Sequence, residues 1–293
     1  MESFPLVSII TLVFNNSKYL ADTVGSVLEQ DYPNIELIIQ DDASDDFSYS
    51  DEYLFSENII AEQNASNIGT VANANKAIAK ASGKYIKLLS CGDLFAKPDS
   101  LSRLVGAMEE NRWQIANSIS AVYDEDMTEI ISYLPRKDSM RKWGEFATAK
   151  QYHVLTRRNV VGAVGIVFTR SLFDEIGGFD ETYRLTEDWP TWLKLTRKGI
   201  KIEAIDDVST KYRSGGVSQE GVKNDILLDD YLKLFEKEIL KYRHLFSRRQ
   251  WQDLQTQHYL TLHWGGSTKT KKMLFALRHI GYFIRNKARR CEY

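Results

Sequence analysis

Cysteine is scarce in this 293-residue chain: Cys91 and Cys291 stand far apart and form no CxxC pair. That excludes a disulfide-stapled scaffold and a thiolate metal centre, and makes a reducing compartment the expectation. Long apolar runs are missing too. No stretch approaches the roughly 18 residues of a membrane-spanning helix, and the first residues show no basic n-region or cleavage site, so no signal peptide is expected. Neither sign of charge dominates: the formal net charge is −2, which gives no reason to expect nucleic acid as a partner. No GxGxxG turn follows the first apolar run and no GxxxxGK[ST] occurs, which excludes a dinucleotide dehydrogenase and a P-loop kinase. His153, His244, His258, His263 and His279 show no ligand spacing with acids. There is no internal repeat and no low-complexity tract. A cytoplasmic protein is expected, or one held on the cytoplasmic face of a membrane.

What is present is ordinary globular composition, 43% hydrophobic and 27% charged, long enough to bury a sizeable core. "LVSIITLVF" (6–14) is β-branched and apolar, as a strand buried on both faces requires. "NNSKYLADTVGSVLEQ" opens with capping residues and carries Leu20, Val24, Val27 and Leu28 at helical spacing, and "DYPN" stops it. "IELIIQ" (35–40) and "NIIAEQ" (58–63) read as strands, 70–82 as a helix, "GKYIKLL" as a strand and 98–110 as a helix. Strands alternating with helices predict an α/β domain with a parallel sheet covered on both faces. Ligands on such sheets sit at the carboxyl ends of the strands. Asn15, Asp41, Asp42 and Asp93 each follow a strand, so they converge on that edge.

From about 113 to 160 the chain turns polar and aromatic, with "PRKDSMRKW" and "LTRRN", and reads as a more irregular, substrate-facing part. "VVGAVGIVFT" (160–169) reads as strand, "TEDWPTWLKLTRKG" as a helix with Asp188 in its first turn and a basic end, as the helix dipole favours, and "IKIEAI" as strand. After "YRSGGVS" (212–218) the pattern is helical to the end. The domains expected are a sheet domain over 1–218, divided into 1–112 and 113–218, and a helical region over 219–293.

Three stretches, "VSIITLVFNNSKYLADTVGSVLEQDYPNIELIIQDDASDD", "NIGTVANANKAIAKASGKYIKLLSCGD" and "IGGFDETYRLTEDWPTWLKLTRKG", together resemble family 2 glycosyltransferases over roughly residues 5–218. The resemblance implies the GT-A fold, a Rossmann-like mixed, mostly parallel sheet flanked by helices, here with a helical C-terminal appendage. It also implies inverting transfer of a sugar from a nucleotide-diphosphate donor, with Mn²⁺ or Mg²⁺ as cofactor and a UDP-sugar as the expected donor.

By that resemblance Asp42 accepts from the uracil imide, Phe14 stacks on the base, and Asn15, Asp41, Asn67, Gly69 and Asn75 complete the donor site. An ordinary turn is the other reading of Asp41 and Asp42. Four positions depart from the family pattern: Leu12 replaces a small polar residue, Ala74 an arginine that reaches the diphosphate, and Ser90 and Gly92 stand where relatives carry acids. Asp93 remains as the metal ligand, and one carboxylate suffices for a hard cation that also takes phosphate and water. The competing reading makes Asp93 the N-cap of the next helix. Cys91 is expected to be a small filler, and Asn73 an exposed helix polar. Arg213 either replaces the missing phosphate cation or is a surface arginine. Asp188 is expected as the base that deprotonates the acceptor hydroxyl, with Glu187 beside it; two acids opening a helix are also what its dipole favours. Trp192 is expected in the core, whereas Trp189 could pack or stack on a sugar.

"TKTKKMLFALRHIGYFIRNKARR" places Met273, Leu277, Ile280 and Ile284 on one side amid many basic residues, which suits an anionic membrane surface through 269–290; packing on the domain or on a partner is the alternative. The implied acceptor is a lipid-linked glycan of a cell-surface polysaccharide such as capsule or O-antigen, undecaprenyl diphosphate being one carrier it could use. A homodimer is left open. The competing function is a GT-A-like scaffold that has lost chemistry, favoured by Ala74 and the thinned metal motif and opposed by Asp93 and Asp188.

Overall fold

The computed structural model describes residues 4–46, 58–216, 223–263 and 269–290. Nine strands among the described residues form one sheet in the order β3-β2-β1-β4-β8-β6-β9-β5, with β7 on β6. The parallel half consists of β1 (Val7–Val13), β2 (Ile35–Asp41), β3 (Ile59–Gln63) and β4 (Tyr85–Leu88). The other half is mixed: β8 (Ile166–Thr169) runs antiparallel to β4 and to β6 (Ile115–Tyr123), and β9 (Glu203–Arg213) runs parallel to β6. The short β5 (Leu94–Phe95) and β7 (Ile130–Leu134) pair antiparallel at its margins.

Alternate residues of the central strands feed two cores, as the period of a strand requires. Ile10, Ile38, Ile86 and Leu88 face α2 (Thr70–Ile78), α5 (Thr148–Leu155), α6 (Arg170–Ile176) and α7 (Asp188–Arg197), where Trp192 is buried. Ile9, Leu37, Ile39 and Leu89 face α1 (Leu20–Leu28) and α3 (Ser100–Asn111).

Several expectations are corrected. The segment 113–160 is regular: β6 lies inside the sheet, followed by β7, α4 (Lys137–Glu145) and α5. Its sequence "IANSISAVY" hides a strand because buried Ser118 and Ser120 each find a hydroxyl partner on β9, Ser118 Oγ with Ser209 Oγ at 2.5 Å and Thr210 Oγ1 donating to Ser120 Oγ at 2.8 Å. Buried hydroxyls paired in this way lose little relative to water. Within 160–169 only Ile166–Thr169 is strand; Ala163–Gly165 form a 3₁₀ turn, since Gly165 lies against β6 so closely that a Cβ would sit 2.5 Å from Asn117 Oδ1. Asn73 is not exposed: at 2% exposure its amide donates to Gln40 O at 3.1 Å and accepts from Asn64 Nδ2 at 2.8 Å.

The helical C-terminal region consists of α8 (Asp225–Leu234), a π and a 3₁₀ segment over 235–245, α9 (Arg248–His263), α10 (Lys269–Arg278) and α11 (Ile280–Arg290). The expected boundary at 218/219 lies outside the described residues. Leu234, Ile239, Phe246 and Leu254 share one core with Trp192 and Leu193. Arg197 Nη1 and Glu238 Oε2 pair at 2.5 Å with both side chains 13% exposed, and Tyr152 OH donates to Glu238 O at 2.9 Å. Helices α8 and α9 are therefore built into the sheet domain. Leu234→Ala should lower the stability of the whole domain by about 2–5 kcal/mol, read as an earlier single transition in urea unfolding; a variant that unfolds as the wild type does would show the helical region to be loosely attached.

Candidate active site

The edge where β1, β2 and β4 end carries most of the candidates. At the end of β1, Phe14 is 45% exposed and Asn15 turns the chain with φ 52°. Asn15 N donates to Ser44 Oγ at 2.7 Å, and Asn16 Nδ2 donates to Cys91 O at 2.9 Å, tying this turn to those after β2 and β4. Cys91 is buried and its thiol is pushed up to about 12, chiefly by desolvation, so it is a filler and no nucleophile.

Asp41 and Asp42 are both buried and shape the loops. Asp41 accepts from the backbone and the hydroxyl of Ser44, an Asx-type turn. Asp42 accepts from Ile68 N and Gly69 N, each at 2.8 Å, and from Asn64 Nδ2 at 3.0 Å. A carboxylate offers about four acceptor positions, so Asp42 keeps one for a ligand. Gly69 has φ 90°, and a Cβ there would lie 2.7 Å from Arg184 Cγ, so only glycine fits. Asn67 Oδ1 accepts from Arg184 Nη2 at 2.6 Å. Asn75 is committed elsewhere: its amide donates to Phe179 O and Glu181 Oε1 at 2.9 Å and accepts from Phe179 N at 3.0 Å, holding the "GGFDE" loop. Gly177, with φ 77°, is the left-handed C-cap of α6.

Asp93 follows β4 in a turn whose Gly92 has φ 101°. It is no N-cap, since Asp99 occupies that place before α3. Asp93 is 4% exposed; Oδ1 accepts from Arg213 N at 3.0 Å, and Oδ2 takes no hydrogen bond from the described residues. Burial pushes its carboxyl up to about 7, against the pull of the Arg213 amide and of Lys87. Lys87, missed in the sequence, is fully buried within β4; it donates to Val164 O, and desolvation pushes it down to about 7. A lysine inside the apolar run "YIKLL" was the available signal. Arg213 is not a surface arginine. Its side chain is 9% exposed, its guanidinium lies 4.0 Å over the Tyr19 ring, Nε donates to Gly92 O at 3.1 Å and Nη1 to Glu125 O at 2.5 Å. It braces the Asp93 turn.

A hard cation fits here: a buried carboxylate with one open oxygen, at an edge where phosphate and water could supply the remaining ligands. Among the described residues no group of three or more His, Cys, Asp or Glu could hold a metal by itself. Ala74, at the position of the missing arginine, is fully buried in the core.

Glu187 and Asp188 open α7 and are partly buried. Asp188 Oδ2 accepts from Asn159 Nδ2 at 2.7 Å, and its ionised form is further stabilised by the backbone amides of Trp189 and Ala163. Desolvation raises both carboxyls above the ordinary range. Glu187 is raised further, because the charges of Asp188 and Asp230 add to its burial. The pair titrates as a unit, and Asp188, with its three donors, is the member that carries the charge. A carboxylate of this kind can accept a proton near neutrality. Trp189 Nε1 donates to Leu155 O at 2.7 Å, so this indole packs. Arg184 was also missed: four residues before Asp188 in "YRLTED", it is exposed and joins the Asn67 loop to the segment leading into the base.

Residues 8–177 match the model of "Glycosyl transferase family 2". The chain is 27% identical over 212 residues to a putative teichuronic acid biosynthesis glycosyltransferase, TuaG, of Bacillus subtilis, covering 71% of this chain and 79% of that one. Among solved structures it is similar to S. aureus TarS 1–349 in complex with UDP-GlcNAc, at TM-score 0.58 and 15% identity over 86% of this chain and 78% of that one. It is likewise similar to the mannosyltransferase PcManGT of Pyrobaculum calidifontis in complex with GDP-Man and Mn²⁺, at TM-score 0.55 and 16% identity over 97% and 86%. With the family model matched over more than half of its length and a GT-A sheet beneath it, the chain belongs to glycosyl transferase family 2 and is a glycosyltransferase.

Proposed function

We propose that the protein moves a sugar from a nucleotide-diphosphate donor, UDP-linked, to a hydroxyl of a glycan acceptor, with inversion at the anomeric carbon. Asp188 carries this reading. It is a carboxylate held ionised by three donors, at the head of a helix, with its pKa raised toward the pH at which it must act. In this reading Asp188 takes the acceptor proton as the hydroxyl attacks, and Glu187 hydrogen-bonds the acceptor. Phe14 stacks on the base and the remaining acceptor position of Asp42 receives the imide N–H, while Asn15 and Asp41 hold the surrounding turns. Asp93 would hold Mn²⁺ or Mg²⁺, which when bound offsets charge on the departing diphosphate. Arg213 adds fixed positive charge behind Asp93, and Asn67 and Gly69 shape the loop where Arg184 projects.

Relatives support the class of pathway: one is named for teichuronic acid biosynthesis, and a structural neighbour binds UDP-GlcNAc. Transfer to a lipid-linked glycan of a cell-surface polysaccharide, as in capsule or O-antigen assembly, is the reading adopted. The C-terminal helices favour it. Met273, Leu274, Leu277, Ile280 and Ile284 are 57–65% exposed. Residues 269–290 carry basic residues and no acid. No helix among the described residues is long and apolar enough to cross a membrane. An apolar row flanked by cations lies in the plane of an anionic bilayer and brings the active edge to a lipid-linked acceptor.

Asp188→Asn should lower kcat at least about 100-fold while UDP binding in calorimetry is retained; transfer at the wild-type rate would remove Asp188 from the mechanism. Because both carboxyls are raised, the ionised pair is lost as pH falls through its shifted range. The acid limb of kcat should therefore lie clearly above the ordinary carboxylate pKa of about 4, as a pH–rate profile would show. Leu277→Asp with Ile284→Asp should cut cosedimentation with phosphatidylglycerol vesicles about tenfold or more and leave transfer to a soluble acceptor intact; equal sedimentation would assign these helices to a protein contact.

A further inference from the structure

Asp230 is a buried carboxylate on α8, 1% exposed and far in sequence from the base. It accepts from three successive backbone amides. Arg184 N donates to Oδ1 at 3.0 Å and to Oδ2 at 3.1 Å, Leu185 N to Oδ2 at 2.7 Å and Thr186 N to Oδ2 at 3.1 Å. Consecutive N–H groups aimed at one point form an anion-binding nest, and here the anion is supplied by the helical region. The next two residues are Glu187 and Asp188. The opposite side of the same segment is also fixed: Arg184 O accepts from Val71 N at 3.2 Å in the first turn of α2. Gly69 lets it approach, since a Cβ there would lie 2.8 Å from Arg184 O. The segment is thus gripped between a donor-side helix and a C-terminal one.

We propose that Asp230 is a positioning residue for the base: its grip on the 184–186 amides sets where Glu187 and Asp188 enter the site. This rests on the reading of Asp188 as base. It makes the C-terminal region part of the catalytic apparatus, beyond any contact with a membrane. The electrostatics agree, because the charge of Asp230 is one of the influences raising Glu187, alongside burial and Asp188. Asp230 also acts on Lys233, one turn on in α8, and on Tyr183, just before the gripped segment.

Asp230→Asn is the test, since it keeps the shape and one acceptor but removes the charge. Without substrate, hydrogen exchange at the amides of 184–186 should quicken about 10- to 100-fold while strands β1 and β2 stay protected. With a panel of UDP-, dTDP- and GDP-sugars, read as nucleoside diphosphate release, kcat should fall about 10- to 100-fold with donor KM nearly unchanged. The acid limb, which belongs to the Glu187–Asp188 pair, should move to lower pH, because the charge of Asp230 is one of those that keep Glu187 protonated; a loosening that merely wets the pair would lower it too, and the charge-restoring variant separates the two. Asp230→Glu restores the charge, so the limb should return to the wild-type pH while kcat recovers in part. Should the asparagine variant fail to fold, Asp230→Glu alone decides, through a lowered kcat at an unmoved limb. Wild-type exchange at 184–186, or wild-type kcat and limb, overturns the proposal. A wild-type protein inactive against the whole panel counts against the base assignment instead, and the exchange measurement still decides the grip.

Discussion

Val13 pairs with Asp41 and Ile10 with Leu88 in three neighbouring strands that run in one direction, and the edge proposed to bind the donor depends on that register. Parallel strands must all finish on the same side of a sheet, so the turns after β1, β2 and β4 have no choice but to meet. They then bind one another: Asp42 N donates to Val13 O at 2.9 Å, Cys91 N to Leu12 O at 3.0 Å, and Asn15 N to the Ser44 hydroxyl at 2.7 Å. Asn15 and Gly92, at φ 52° and 101°, let the chain leave the sheet sharply enough for these contacts. A slip of one residue in any of the three strands would turn its polar terminus into the core.

The carboxylates proposed to serve the acceptor are held by a different means. Antiparallel β8 carries the chain back across the sheet, and α7 then starts with Glu187 and Asp188. The segment leading into this helix is not itself paired in the sheet among the described residues. Side chains hold it: Asn75 holds the loop at Phe179 and Glu181, Arg184 reaches Asn67, and Asp230 takes the amides that precede the acids. Charge in this region is matched to backbone dipoles more than to opposite charges. That leaves Asp188 with donors that favour its ionised form and burial that opposes it, the balance a base near neutrality needs.

The parallel half was legible because its residues obey one period. Ile9, Ile10, Leu37 and Ile38 are apolar on both faces, and the polar residues begin where each strand stops, so Asn15, Asp41, Asp42 and Asp93 could be placed on one edge from the sequence, while Phe14 came from the family resemblance. The acids of "TEDW" were legible for a similar reason, as residues in the first turn of a helix. What escaped was set by contacts distant in sequence. Strand β6 contains buried serines that look like loop residues until Ser209 and Thr210 are brought beside them. Asn73 reads as a surface amide, yet Gln40 and Asn64 enclose it. Lys87 sits in an apolar strand and finds its acceptor on Val164, and Asp230 is one acid among several in "DILLDDYLKL" until the fold lays it against residues 184–186. Propensity and period carry no information about such partners.

The central claim is that the shared end of β1, β2 and β4 is a metal-assisted nucleotide site. It is tested most directly by calorimetric titration of UDP into the protein with and without Mn²⁺. Binding that appears or tightens at least about tenfold when Mn²⁺ is present, and loses that gain in Asp93→Ala, is the predicted result. UDP binding indifferent to the cation, or no binding in either condition, would contradict it.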